Sequence, residues 1–150
     1  MYSTFHLALK YFKYYLAASN GKGHGMHSPF VFEFITKILS DKKRYPDYEK
    51  VEGLRKQLLN DKSNIKIDDP GAGSAVSRSK NRSVTSVARS AAKPAKYGQL
   101  LYRMVKHYQP ETILDMGTSL GITTAYLAAA KPDATVITME GSPEIAGKAR

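Results

Sequence analysis

The sequence predicts an α/β fold, with the beginning of a nucleotide-type βαβ unit over residues 93–150 and a mostly helical, basic region ahead of it over residues 1–92. Three observations predict it. Two short apolar runs, Thr112–Met116 and residues 135–140, have the continuous hydrophobic character of parallel strands buried on both faces. A glycine turn, Gly117-Thr118-Ser119-Leu120-Gly121, leads from the first run into an alanine-rich helical stretch, Ile122–Ala130. Before residue 110, by contrast, apolar residues recur at helical spacings of three and four.

Each element has its own signal. Tyr2, Phe5, Leu9, Phe12 and Leu16 fall on one face of an opening helix, and that stripe is expected to pack into a core, with a partner surface or lipid headgroups as the alternative. Ser28-Pro29 reads as an N-cap followed by the first helical position, because proline lacks an N–H that the first turn leaves unpaired anyway. That helix should cover residues 30–39. Asp47 is expected to cap the next one, whose stripe is Val51, Leu54, Leu58 and Leu59 and whose end is Asn60-Asp61. Ile65-Lys66-Ile67-Asp68 alternates like a short strand, residues 69–74 form a loop, and the Ser- and Arg/Lys-rich residues 75–83 are expected to be mobile. A short helix over residues 84–92 should stop before Pro94, and a firmer one should follow over residues 96–108.

Composition narrows the functional classes. Hydrophobic residues make up 42% of the 150, enough for a core, and there is no cysteine, which removes disulfides, thiolate metal sites and cysteine nucleophiles. A cytoplasmic location is the expectation. Lys10 and Lys13 interrupt the apolar N-terminus before it reaches the roughly 20 residues of a membrane span, so no membrane partner is expected. The net charge is +10, yet residues 111–150 carry −2, which leaves +12 for residues 1–110. Between Pro70 and Pro110 there is no acid, against Arg78, Lys80, Arg82, Arg89, Lys93, Lys96, Arg103 and Lys106. That stretch is read as a solvated basic face, with RNA as the possible alternative partner. His24 and His27 lie three apart in a glycine-rich turn, too few ligands for a metal site and better suited to loop and capping roles.

The chemistry lies in residues 112–140. Glycines suit the turn because the backbone must bend sharply and approach a ligand where a Cβ would collide. Glu140, 19 positions after Gly121, ends the second strand beside the first, where a carboxylate can accept both hydroxyls of an adenosine ribose. A dinucleotide fingerprint would need a third glycine to seat a pyrophosphate on the helix N-terminus, and Asp115 would repel one. A carboxylate there can instead pair with an ammonium group.

The run Asp115-Met116-Gly117-Thr118-Ser119-Leu120-Gly121-Ile122-Thr123-Thr124 resembles the first cofactor-binding motif of class I S-adenosylmethionine (SAM)-dependent methyltransferases, above all the small-molecule O-methyltransferase type. Met139-Glu140-Gly141 is similar to their ribose-binding motif, and Lys96-Tyr97-Gly98-Gln99-Leu100-Leu101 to the opening of the helix before the first strand. The resemblance covers roughly the last third of the chain. It implies the start of a Rossmann-like class I methyltransferase fold, SAM as cofactor, and Asp115, Gly117, Thr118, Ser119, Gly121 and Glu140 as its contacts. It also implies a sheet of about seven strands, where this chain shows two strand signals before Arg150.

A fragment is therefore expected, with the catalytic residues, and any ligands for a possible divalent metal, beyond residue 150. The intact protein would methylate an oxygen of a small molecule. The alternatives are an RNA methyltransferase gripping through residues 70–110, and a non-catalytic helical interaction module fused to half of a nucleotide fold. The isolated chain is expected to be inactive, to self-associate or be partly ordered, and to bind SAM at least tenfold more weakly than its parent.

Overall fold

A computed structural model describes residues 4–17, 27–67 and 81–150. Tyr2, His24, the loop of residues 69–74, Arg78 and Lys80 lie outside the described residues. The chain forms two compact units, Met1–Lys42 and Lys43–Arg150. That division falls earlier than the change of character near residue 92, because the helices between residues 46 and 91 pack with the sheet-bearing part.

The first unit holds α1 (Thr4–Ala17), α2 (Pro29–Glu33) and a π-helical continuation, Phe34–Leu39. Ser28 caps α2 as expected, its Oγ accepting from Val31 N at 3.4 Å with Pro29 behind it. The last turn widens, so that Ser40 N donates to Ile35 O, five residues back. The core role expected for Phe5, Leu9, Phe12 and Leu16 is not found: all four are exposed. Among the described residues of their unit Ile38 alone is buried, so no described apolar layer covers them.

The second unit contains α3 (Pro46–Asn60), β1 (Asn64–Lys66), β2 (Asn81–Ser83), α4 (Val84–Ala91), α5 (Ala95–Tyr108), β3 (Thr112–Met116), α6 (Ile122–Ala130), β4 (Thr135–Met139) and α7 (Pro143–Ala149). It is a mixture of helix and sheet with two small sheets. β1 pairs with β2 antiparallel, so residues 81–83, read as mobile from their Ser/Arg/Lys content, are a strand. The backbone partners that make it one lie 15 to 19 residues away, from Lys66 opposite Asn81 to Asn64 opposite Ser83. Ser83 then caps α4, accepting from Ser86 N at 3.2 Å.

α3 starts one residue before the expected cap. Pro46 takes the first helical position, Tyr45 stands at the N-cap without a side-chain bond, and Asp47 turns instead to accept the Tyr102 hydroxyl at 2.9 Å. That phenol, then Lys50, holds the Asp47 carboxyl below its ordinary range. The far end of α3 is tied to α7, where Lys148 Nζ sits 2.7 Å from Asp61 Oδ2. The Lys148 ammonium and Ser63 bring the Asp61 carboxyl down to about 2.

Tyr45, Tyr48, Tyr102 and Tyr126 form the centre of the core, with ring centroids 5.1 to 5.9 Å apart in tilted and edge-on contacts. They join α3, α5 and α6. Tyr126 is fully buried, and its hydroxyl donates to Glu52 Oε1 at 2.7 Å while Arg55 Nε holds the same carboxylate. Opposite it, α5 comes so close that only Gly98 fits: a Cβ there would overlap Tyr126 Cδ2 and lie 2.5 Å from Cε2.

β3 and β4 pair in parallel, with Thr112 opposite Thr135 and Met116 opposite Met139. Ile113 and Val136 join the core on the face that α6 covers. The reading of strands buried on both faces holds for this face alone. On the other, Leu114, Met116, Ile137 and Met139 are each at least half exposed.

Candidate functional site

The C-terminal ends of β3 and β4 bring the sequence-predicted residues together. Between β3 and α6 the chain passes through three residues with positive φ: Gly117 at 102°, Ser119 at 48° and Gly121 at 77°. Glycine adopts such angles without strain, so the first and last suit this turn. Serine does not, and nothing in the sequence singled out Ser119 for that conformation. A Cβ on Gly117 would meet nothing within 4 Å, leaving the loop open for another molecule.

Backbone bonds fix the loop to the end of β4. Gly117 N and Thr118 N both donate to Met139 O, at 2.9 and 3.0 Å. The buried Thr118 side chain adds a hydroxyl pair with Thr138, 2.6 Å apart, and Gly121 O accepts the first α6 bond from Ala125 N. Loop, strand end and helix start are thus one hydrogen-bonded assembly.

Two carboxylates border it. Glu140 accepts Ser119 N at Oε2, 2.8 Å away, and Ser142 N at Oε1, 3.0 Å away, so one side chain brackets the loops that follow both strands. Each oxygen keeps acceptor capacity for a ligand hydroxyl. Asp115 lies on the α6 side of the sheet, and its Oδ2 accepts the Thr124 hydroxyl at 2.5 Å. Its Oδ1 has no partner among the described residues.

No known family, curated protein or solved structure matches this chain.

Asp115, Gly117, Thr118, Ser119, Gly121 and Glu140 thus lie together at the C-terminal end of the parallel pair. Ser142 stands at the N-cap of α7, but its Oγ is buried without a hydrogen bond. Of the basic residues between Pro70 and Pro110, Arg82 turns inward to Ser86 and Ser90, and Lys106 lies over the Tyr45 ring at 5.5 Å. Among the described residues no group of three or more His, Asp or Glu could hold a metal ion.

Proposed function

We propose that this chain carries the donor-binding half of a SAM-dependent methyltransferase that acts on an oxygen of a small molecule. One observation carries the reading: a glycine loop of left-handed backbone meets a carboxylate at the C-terminal ends of two adjacent parallel strands. That is where open α/β sheets bind nucleotides. The residues fit a nucleoside bearing an amino-acid tail. Glu140 has acceptor capacity for a ribose diol, Asp115 has a carboxylate oxygen for an ammonium, and Gly117 leaves room for the ligand.

SAM would supply an already activated methyl group, so the protein's task is to hold the donor in line with its acceptor. Asp115, fixed by Thr124, would set the methionine end. Glu140, fixed by two backbone amides, would set the ribose. Both side chains are braced before the ligand arrives, so little ordering remains to be done on binding.

Calorimetric titration of S-adenosylhomocysteine into the 150-residue chain tests this. Saturable binding is expected, weakened about tenfold in Asp115→Asn because a charge-assisted contact becomes a neutral one. No saturable heat, or equal affinity in the two proteins, removes Asp115 and with it the family reading of the loop.

A further inference from the structure

Helix α1 leaves more apolar surface in water than any other described helix. Every residue from Phe5 to Ala17 is exposed, with Phe5 at 76%, Leu16 at 69% and Phe12 at 61%. At about 100° per residue, His6, Lys10 and Lys13 make one narrow basic stripe. Phe5, Leu9, Phe12 and Leu16 fill one side of the apolar arc, and Tyr15, Tyr11, Leu7 and Tyr14 carry it on to about 220° of the circumference, centred opposite the basic stripe.

We propose that α1 lies on an anionic lipid surface. Three features favour lipid over a protein partner. The apolar arc exceeds the stripe of roughly 100° that packing on a globular core uses, whereas a helix half-immersed in headgroups buries a wide arc. Tyr14 stands at one margin, beside the basic stripe, where a ring can be dry while its hydroxyl stays wet. The charge is complementary as well, because Lys10 and Lys13 border the arc and the sequence has no acid before Glu33.

A 14-residue helix is marginal in water by itself, so an apolar surface would also stabilise it. The interrupted apolar run rules out a span, and no described helix is long and apolar enough to cross a membrane. That leaves surface attachment open.

The protein has no tryptophan, so Phe12→Trp in the full chain is a single fluorescent reporter. It is mixed with vesicles of neutral phosphatidylcholine, or of phosphatidylcholine containing phosphatidylglycerol, and the unlabelled chain is floated with the same vesicles. The expected result is a blue shift and co-flotation with the anionic vesicles, both falling as salt rises. Lys10→Gln/Lys13→Gln should weaken binding about 30-fold, and Phe5→Ser/Phe12→Ser should abolish it. Equal binding to both vesicle types, or none to either, overturns the proposal. So does a shift that grows with protein concentration in buffer, which makes a second copy the occupant, or one produced only by single-stranded RNA.

Discussion

Shortening Tyr126 to alanine should cost about 4 kcal/mol of stability, read as a drop in the urea midpoint at unchanged slope. The side chain is fully buried, packs edge-on against Tyr48, and links α6 to α3 through Glu52. Removing only the hydroxyl, as in Tyr126→Phe, should cost about 1 kcal/mol, because Arg55 still holds the Glu52 carboxylate. Gly98→Ala approaches the same ring from the other side. It forces a Cβ into the Tyr126 edge and should cost about 2 kcal/mol, although alanine is the better helix former. In the Tyr126→Ala background that clash is gone, and Gly98→Ala should stabilise by up to about 1 kcal/mol. The reversal of sign is what a double-mutant cycle measures. A penalty of about 2 kcal/mol in both backgrounds would show that Gly98 is not shaped by Tyr126.

Glu140→Ala should weaken binding of S-adenosylhomocysteine by about 2 to 3 kcal/mol, on the order of a hundredfold, through loss of a charge-assisted contact to two hydroxyls. The same change strips Ser119 N and Ser142 N of their acceptor, so some of the loss could come from a loosened loop. Two measurements separate the causes. Loosening would speed hydrogen exchange at both amides without ligand. Direct contact predicts that an analogue lacking the 2′-hydroxyl narrows the gap between wild type and Glu140→Ala. Equal affinity of the two proteins for the full ligand would mean that Glu140 holds the loop and nothing else.

Local signals were the legible ones. Ser28-Pro29 announced α2, Lys93-Pro94 the end of α4, and the apolar runs at Thr112 and Thr135 the strands that pair in parallel, because each depends on a few neighbouring residues. The placement of the candidate residues was legible for the same reason, since Asp115, Gly117, Gly121 and Glu140 stand at or beside strand ends. What the sequence concealed is long-range. Residues 81–83 are a strand only because residues 64–66 pair with them, and Asp47 serves Tyr102 rather than a helix end because α5 comes to lie beside α3. The alanine-rich stretch from Ile122 gave no hint that Tyr126 would join three helices and dictate a glycine on one of them. Periodicity likewise showed which residues of α1 share a face, but nothing about what that face would meet.

The tyrosine cluster also makes folding a proton-uptake reaction in alkali. Burial first, then the Asp47 and Glu52 carboxylates, raise the Tyr102 and Tyr126 phenols well above their ordinary value of 10.0. An unfolded chain releases both protons near that ordinary value, whereas the folded one retains them. The stability linked to these groups is complete below about pH 10 and drains away as pH climbs toward the folded-state values. Above that threshold each molecule that refolds must recover two protons from solvent, so base favours the open chain through the same rings that hold its core together.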